Sequence, residues 1–458
     1  MDTQGRPIRR RWGPGLLRRT PTRAADAVAA LATAALLAGC SGSSGSSMSS
    51  TASTSTSSGG SAAGTGITPT QIDVGAIATK TGVSAGDFAA LIPGMEAYFD
   101  MVNAEGGVNG RKLVLVGNYD DGGSPTQFTQ DAHTLIEQNH AFAAFISSFW
   151  FTPGIFVENG TPTYGYNVSN DWAGEPNLFA AGGSIQDYHA LSAPVAYLVK
   201  RSGAKSVAVI SYGPGIPDSY PACHTVAQDL ASAGINVSYT GYDASLGGNF
   251  TSAVQQMGQA HSDFVLSCME DSDDVTMARS IQQYGLKVHQ LWLNGYDQSL
   301  LNGYQSLMQG VYVDANGFVP FSAVTAFPGA YPGMEHYLAV MKKYQPSYVS
   351  SQLAMQGWQS ASLFVAGLEA AKNNLTQANV IAQTNKITDF TAGGTPAVVD
   401  WSEAHTTATY PTCPSFVQVS GDHFVPLVSR GHQVFICFDK TTSLTDPVPV
   451  PPPAGTPG

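Results

Sequence analysis

The sequence predicts an α/β protein of two lobes, each built on a doubly wound, parallel β-sheet. The chain has 458 residues, which is more than a single hydrophobic core ordinarily contains. Short apolar runs of strand length alternate with patterns of helical spacing, and this alternation is typical of parallel sheets with right-handed crossovers. The alternation occurs in two series, and the composition changes between them near residues 185–195. Two α/β lobes follow from these observations.

The first series begins after residue 65. Its apolar runs predict strands at Ile72–Ala78, Lys112–Val116 and Phe142–Ile146. Apolar residues at helical spacing between 88 and 102, and again over Gln127–Gln138, predict the helices that connect these strands.

The second series repeats the same order of elements. It predicts strands at Ser206–Ile210, Asn236–Tyr239 and Phe264–Leu266, with helices at Ala222–Ala233, Phe250–Ala260 and Val275–Tyr284. In open α/β sheets the ligand crevice lies beyond the carboxyl ends of the strands. Two lobes that face each other at those ends would form one cleft.

The N-terminus has the features of an export signal. Seven arginines lie within the first 39 residues, and Ala27–Gly39 is an apolar run of 13 residues without a charge. A helix that spans a bilayer needs about 20 such residues, so this run fits a signal peptide instead. The run ends in Leu37-Ala38-Gly39-Cys40, which resembles a bacterial lipobox.

This resemblance implies a lipoprotein signal peptide at 1–39, a lipid on Cys40 and attachment to the extracytoplasmic face of the cell membrane. An ordinary signal peptide that contains a cysteine is the alternative. The export route stays open between the Sec and twin-arginine pathways. Residues 40–65 are rich in Ser and Gly and predict a flexible tether, whereas the Pro-rich residues 446–458 predict a disordered tail.

The charge of the chain excludes one class of partner. It carries 21 Lys and Arg against 33 Asp and Glu, a formal net charge of −12. Binding to a phosphate backbone needs a basic surface, so we expect no nucleic-acid partner.

Four cysteines follow Cys40, and their even number in an exported protein predicts disulfides. Four cysteines allow three pairings. Cys413 and Cys437 bracket two strand-like runs, which favours a bridge between them that closes a hairpin. Cys223 and Cys268 would then form the second bridge by elimination. Zinc is the competing interpretation, but no Cys-x-x-Cys spacing supports it, so we expect neither a metal nor a cofactor.

Short landmarks along residues 66–440 resemble a known family in their order and spacing. They are Asn103–Gly110, Tyr119–Asp121, Ser147–Ser148, Gly248–Phe250, Asp263–Val265, Gln283–Leu286, Gly310–Val313 and Gln356–Ala371. Together they resemble the type I periplasmic substrate-binding proteins of branched-chain (Leu/Ile/Val) amino-acid ABC transporters.

The resemblance implies a three-strand hinge between the lobes. Lobe one would be 66–187 plus 315–395, and lobe two 188–314 plus 396–445, with both disulfides in lobe two. It also implies a monomeric receptor without enzymatic activity. Such a receptor captures an amino acid or related small polar molecule (amide or carboxylate) and delivers it to an ABC permease in the membrane.

By the same resemblance, the first lobe holds the carboxylate of the ligand. Ser147 and Ser148 occupy the Ser/Thr-rich loop that does this in the family, and Asn167, Val168 and Ser169 occupy a second loop. Backbone N–H groups and hydroxyls of this kind can surround an anion without a formal charge.

The second lobe of the family offers acids and tyrosines to the ligand's ammonium. Glu270 follows a predicted strand at the expected place, and Asp218 and Tyr220 lie in the loop that usually carries an aromatic residue. Asn294 stands where the amino-acid binders carry a glutamate. An amide cannot neutralise an ammonium, so either Asp297 or Glu270 substitutes for that glutamate, or the ligand is not an α-amino acid.

Two alternative functions remain open from the sequence. The same fold serves ligand-sensing lipoproteins used for signalling. The identity of the adjacent genes would distinguish a role in signalling from a role in transport. The stretch Gly82–Gly86 also matches G-x-S-x-G, which would make Ser84 the nucleophile of a secreted serine hydrolase. Only one strand of the exported domain precedes Ser84, whereas several precede the nucleophile in α/β-hydrolases, so we expect no enzyme.

Overall fold

The structure is a computed structural model that describes residues 65–82, 85–409 and 411–458. The signal peptide, Cys40, the tether up to residue 64, and Ser84 lie outside the described residues. The described residues belong to one compact unit.

A five-stranded sheet forms the centre of the first lobe. In chain order its strands are β1 (Gln71–Ala78), β2 (Lys112–Asp120), β3 (Ala143–Ser147), β4 (Thr163–Gly165) and β5 (Leu178–Ala180). They lie in the order β2-β1-β3-β4-β5, and every neighbouring pair is parallel. The helices between them are α1 (Ala85–Phe88), α2 (Leu91–Ala104), α3 (Pro125–His133) and α4 (Gly154–Glu158), with a π-helical turn at Thr134–Gln138 and a 3-10 turn at Asn170–Trp172.

Both faces of this sheet are buried beneath helices, and alternate side chains along each strand point to these opposite faces. Val74 and Phe145 pack in one core cluster with residues of α2. Ile77 and Ile146 pack in another cluster with residues of α3. The first sheet is therefore doubly wound, as the sequence predicts.

A seven-stranded sheet forms the centre of the second lobe. Its strands are β6 (Val207–Tyr212), β7 (Val237–Ala244), β8 (Phe264–Cys268), β9 (His289–Trp292), β10 (Tyr312–Asp314), β11 (Phe416–Ser420) and β12 (His423–Pro426). Its helices are α5 (Ser192–Ser202), α6 (Ser219–Ser232), α7 (Thr251–Gln259), α8 (Asp271–Tyr284) and α9 (Gln298–Met308), with a 3-10 turn at Tyr188–Leu191 before α5.

The strands of this second sheet lie in the order β12-β11-β10-β9-β8-β6-β7. The pairs from β7 to β10 are parallel, and β11 and β12 add to the edge in antiparallel orientation. Val207 and Val209 pack against α5 and α6, whereas Ala208 and Ile210 pack against α7 and α8. Two doubly wound, largely parallel sheets confirm the predicted fold class.

The chain passes between the two lobes three times, namely from β5 to α5, after β10, and again before β11. Between the last two passages lie α10 (Ala323–Ala326), α11 (Pro332–Tyr344), α12 (Gln352–Ala371) and α13 (Gln377–Thr384). Helices α11 and α12 contact α2, and α13 contacts α12, so this part of the chain belongs with the first sheet.

The second and third crossing segments also pair with each other. The Val319 N–H donates to the Thr395 carbonyl at 2.7 Å, and the Ala397 N–H donates to the Gly317 carbonyl at 3.0 Å. This pairing connects the lobes by backbone hydrogen bonds as well as by the chain itself. The residue boundaries given for the lobes above stay a prediction.

Two disulfides lie among the second-lobe elements. Cys223 of α6 is joined to Cys268 at the end of β8, with an S–S distance of 2.11 Å. Cys413 is joined to Cys437 with an S–S distance of 2.10 Å. Neither bridge connects the two sheets to each other.

The C-terminal segment 446–458 differs from the prediction of a disordered tail. The Val450 N–H donates to the Cys437 carbonyl at 2.8 Å, and the Asp446 carboxylate pairs with the Lys200 ammonium. A Pro-rich composition removes backbone donors, but the remaining N–H groups of an extended segment can still pair with a neighbouring strand. Composition alone therefore gave the wrong expectation here.

Within the described ranges, no helix combines the length and the hydropathy that a membrane span requires.

Candidate ligand-binding site

A cavity of about 160 Å³ lies between the two lobes, and we call it the cleft cavity. Carboxyl ends of parallel strands form its second-lobe wall, since Tyr212 ends β6, Glu270 follows β8, Asn294 follows β9 and Asp314 ends β10. The first-lobe wall includes 166–168, the loop after β4. The cavity thus occupies the crevice where open α/β sheets bind ligands.

The first-lobe wall depends on a close approach between β3 and β4. A Cβ atom on Gly165 would lie 2.0 Å from the Ile146 carbonyl oxygen, so only glycine fits at this position. The Tyr166 N–H donates to the same carbonyl at 3.0 Å. This contact directs Tyr166 and Asn167 into the wall of the cleft cavity.

Half of the residues predicted to contact a ligand line the cleft cavity, namely Asn167, Val168, Asp218, Glu270 and Asn294. The Asn167 Nδ2 atom donates to the Gly183 carbonyl at 2.8 Å. Its Oδ1 atom has no hydrogen-bond partner among the described residues, although the side chain is only 8% exposed. Contact of these five residues with a ligand stays a prediction.

The other predicted contacts, Ser147, Ser148, Ser169, Tyr220 and Asp297, do not line the cleft cavity. Ser147 is fully buried at the end of β3, and the Ser148 hydroxyl donates to the Asp121 carboxylate. The Ser169 hydroxyl accepts the Asp171 N–H at the start of a 3-10 turn.

Tyr220 and Asp297 likewise make contacts within the second lobe. The Tyr220 ring stacks on His224 with ring centroids 5.0 Å apart. The Asp297 carboxylate accepts the N–H groups of Ser299 and Leu300 at the start of α9. Hydroxyls and carboxylates at helix starts satisfy backbone N–H groups without any ligand, and the sequence could not separate this role from ligand binding.

Asn294 joins the two lobes through its side-chain amide. Its Oδ1 atom accepts the Tyr166 hydroxyl at 3.2 Å and the Gln352 Nε2 atom at 3.1 Å, both from the first lobe. Its Nδ2 atom donates to the Met269 carbonyl of the second lobe at 3.1 Å. The residue that replaces the family's glutamate thus bridges the lobes in this structure.

Backbone hydrogen bonds add to this bridge. The Gln352 N–H donates to the Tyr296 carbonyl at 2.8 Å, and the Gln298 N–H donates to the Ser350 carbonyl at 3.0 Å. The start of α12 in the first lobe is therefore held against the start of α9 in the second lobe.

Asp218 and Tyr188 form a hydrogen-bonded pair in the cleft wall. Burial raises the pKa of the Asp218 carboxyl to about 7, and the Asp171 carboxylate raises it as well, although the hydrogen bond from the Tyr188 hydroxyl opposes both. The Asp218 Oδ2 atom has no hydrogen-bond partner among the described residues. A largely buried carboxyl with an unused oxygen suits a hydrogen-bond donor or a cation.

Tyr212 holds the loop that carries Glu270. Its hydroxyl donates to the Asp273 carboxylate at 2.6 Å and accepts the Glu270 N–H at 3.1 Å. Burial raises the pKa of Tyr212, and the Glu270 and Asp273 carboxylates raise it further, so this tyrosine stays protonated and continues to donate.

Several lining residues were not among the predicted contacts, namely Tyr166, Tyr188, Tyr212, Asp314 and Asn316. Asp314 is buried at the end of β10, and burial raises its pKa to about 7. Tyr212 and Asp314 directly end strands, a position at which the rule for ligand crevices in open α/β sheets could have found them. For Tyr188, which lies in the first crossing, the sequence offers no such signal.

A family model for periplasmic binding proteins matches residues 71–422, more than three quarters of the chain. The chain belongs to the periplasmic binding protein family. Proteins of this family bind solutes and are not enzymes, which confirms the expectation for this chain. No curated protein matches the sequence.

Solved structures of the same fold are similar over most of the chain. A fatty acid ABC transporter substrate-binding protein from Thermomonospora curvata is 18% identical with a TM-score of 0.67, over 85% of this chain and 97% of that one. A leucine-binding protein from Thermotoga maritima is 14% identical with a TM-score of 0.63, over 78% and 97%. A solute-binding ABC transporter protein from R. palustris, in complex with benzoate, is 16% identical with a TM-score of 0.64, over 78% and 95%.

These structures share the fold but are named for chemically different ligands. The family relation therefore confirms a periplasmic binding protein, while the branched-chain amino-acid subclass stays a prediction. In the part of the chain that the structure describes, no group of three or more His, Cys, Asp or Glu is arranged to hold a metal.

Proposed function

We propose that this protein is the lipid-anchored, monomeric receptor of an ABC importer. It encloses a small polar molecule of the size of an amino acid between its lobes and delivers that molecule to a membrane permease. The cleft cavity carries this proposal, because both lobes supply polar groups to the same cavity. A ligand that contacts both lobes favours their closed arrangement, which a permease can then recognise. Similar structures named as ABC transporter components support the proposal.

The membrane attachment rests on the N-terminal sequence. The lipobox-like stretch before Cys40 supports a lipid on that cysteine, and the Ser/Gly-rich residues after it suit a tether. Mass spectrometry of the N-terminal peptide tests this directly. We expect cleavage before Cys40 and the added mass of a lipid, and a Cys40→Ala variant should leave the membrane fraction. An unmodified Cys40 would overturn the anchor but not the receptor.

A thermal-shift screen tests the receptor function. Amino acids, amides, amines and short carboxylates are added singly to the purified protein, because a ligand that binds only the folded state raises its melting temperature. At one hundred times its Kd, such a ligand adds about 2.7 kcal/mol to the free energy of unfolding. We expect at least one class to raise the melting temperature. If no solute does so, and X-ray scattering shows no change of shape with any of them, the receptor proposal is wrong.

A further inference from the structure

The C-terminal segment 446–458 contacts the second lobe at its start and the crossing segments further along. Five of the seven residues from Pro447 to Pro453 are proline, and the two valines among them each precede a proline. Proline fixes its own φ at about −65°, and the residue before a proline is restricted to extended conformations. The stretch is therefore preorganised as a stiff spacer that rises about 3.1 Å per residue.

The start of the segment is attached to the second lobe. The Asp446 carboxylate pairs with the Lys200 ammonium of α5, and Leu444, just before it, packs against a core cluster of the second lobe. The Val450 N–H donates to the Cys437 carbonyl at 2.8 Å, and a disulfide holds Cys437 in turn. An ion pair, apolar packing and a backbone hydrogen bond thus hold this end of the segment.

The other end contacts the third crossing and a turn of the first lobe. A Cβ atom on Gly455 would lie 3.5 Å from the Val398 Cγ2 atom, and one on Gly394 would lie 4.0 Å from the Pro457 Cγ atom. The turn that contains Gly394 packs closely on α11, because a Cβ atom on Gly333 would lie 2.8 Å from the Gly394 carbonyl oxygen. Since α11 packs with the first sheet, the segment extends from one lobe to the other.

Between its two ends the segment borders a cavity of about 280 Å³ at the crossing segments. Pro453 lines this cavity together with Gly317 of the second crossing and Val398 of the third. The Pro457 carbonyl also accepts the Gln433 Nε2 atom at 3.5 Å, so the loop after β12 contacts the end of the segment as well. Chain segments beside a cavity have room to bend, whereas close-packed ones do not. The segment therefore lies against the part of the protein that bends when the lobes rotate.

We propose that residues 446–458 form a strap that restrains rotation of the two lobes about the crossings. A rotation that opens the cleft moves the turn at Gly394 relative to α5 and Cys437, and the stiff spacer between them cannot stretch or fold to follow. Opening must therefore release either the contacts at 455–457 or the hydrogen bond of Val450. The strap thus favours the arrangement of the lobes described above, and it does so without a ligand, beyond the proposed function.

Hydrogen exchange in truncated chains tests the contacts of the strap. The readouts are the Gln298 and Gln352 N–H groups, which donate from one lobe to the other. Removal of 454–458 deletes the contacts with the third crossing and the first-lobe turn but preserves those with Lys200 and Cys437. We expect this truncation to accelerate exchange at both amides by at least about five-fold, while amides of the central strands β6 and β8 keep their rates. Removal of 446–458 should accelerate both amides at least as much.

A pair of substitutions tests the stiffness of the strap while its attachments stay in place. Pro451→Gly combined with Pro452→Gly replaces the middle of the spacer by flexible residues. We expect exchange at both amides to accelerate by at least about three-fold. Val448→Ala is the matched control, because this side chain lies in the same stretch but is 63% exposed. It should leave both rates unchanged.

The outcomes separate a strap from a segment that only stabilises the second lobe. If removal of 454–458 leaves both rates unchanged, the strap is refuted, even where removal of 446–458 accelerates exchange throughout the second lobe. If Val448→Ala accelerates exchange as much as the glycine pair does, the role of stiffness is refuted. Should the chain without 446–458 not fold, the shorter truncation and the glycine pair still decide. The receptor function stands or fails by the solute screen alone.

Discussion

Removal of the Asn294 amide should loosen the contact between the two lobes. In Asn294→Ala, the first lobe loses the acceptor of its Tyr166 hydroxyl and Gln352 amide. Each such hydrogen bond contributes about 0.5–1.5 kcal/mol net, so the closed arrangement should lose about 1–3 kcal/mol. The equilibrium constant for opening then rises about 5- to 150-fold.

Hydrogen exchange at two backbone amides measures this change directly. The Gln298 and Gln352 N–H groups donate from one lobe to the other, so a separation of the lobes at this contact would expose them to solvent. Their exchange in Asn294→Ala should accelerate by the same factor, while amides of the central strands keep their rates. Asn373→Ala, at an exposed position of the first lobe, is the matched control and should change neither amide. Unchanged exchange at both amides in Asn294→Ala would refute the bridging role of this residue.

Other predictions concern stability. Burial raises the pKa of Asp314 to about 7, so the folded state binds the proton of this carboxyl more tightly than the unfolded state does. The contribution of Asp314 to the free energy of unfolding is therefore complete below about pH 4 and falls by at most about 4 kcal/mol up to pH 7. Asp314→Asn should flatten this decline in urea titrations across that window; an unaltered slope would contradict it. Replacing both Cys223 and Cys268 by alanine opens a loop with a sequence separation of 45 and should cost about 4 kcal/mol in the same assay, and a loss below about 1 kcal/mol would argue against the bridge. Ser148→Ala removes the donor to Asp121 Oδ2, while Thr79 and Gly123 still donate to Oδ1, and should cost about 1–3 kcal/mol while ligand affinity is unchanged; weaker binding in calorimetry would return Ser148 to the site.

The fold could be predicted where elements are long enough to show a pattern. The apolar run at Phe264–Leu266 and the helical spacing over Val275–Tyr284 correspond to β8 and α8 with small differences at their ends. The three-residue strands β4 and β5 have no periodicity to detect, because their length is set by neighbours in the sheet rather than by their own sequence.

The site could be predicted only in part. Glu270 and Asn294, which the family resemblance selected, follow strands of a parallel sheet and line the cleft cavity, and their contact with a ligand stays a prediction. Ser148 and Asp297 also follow strands, but their oxygen atoms hold other groups of the protein. The cavity of about 280 Å³ at the crossing segments could not be anticipated, because its lining comes from three crossings that lie far apart along the chain.

The position of the C-terminal segment has a consequence for sensor design. Val450 pairs with Cys437, and Pro453 lines the cavity of about 280 Å³ at the crossing segments, so this end of the protein lies beside the segments about which the lobes would rotate. A fluorescent reporter fused there would move little when a solute is captured. Helices α3 and α7 follow the edge strands β2 and β7, away from the crossings at β5 and β10. A donor and an acceptor dye on these two helices would convert solute capture into a change of energy transfer.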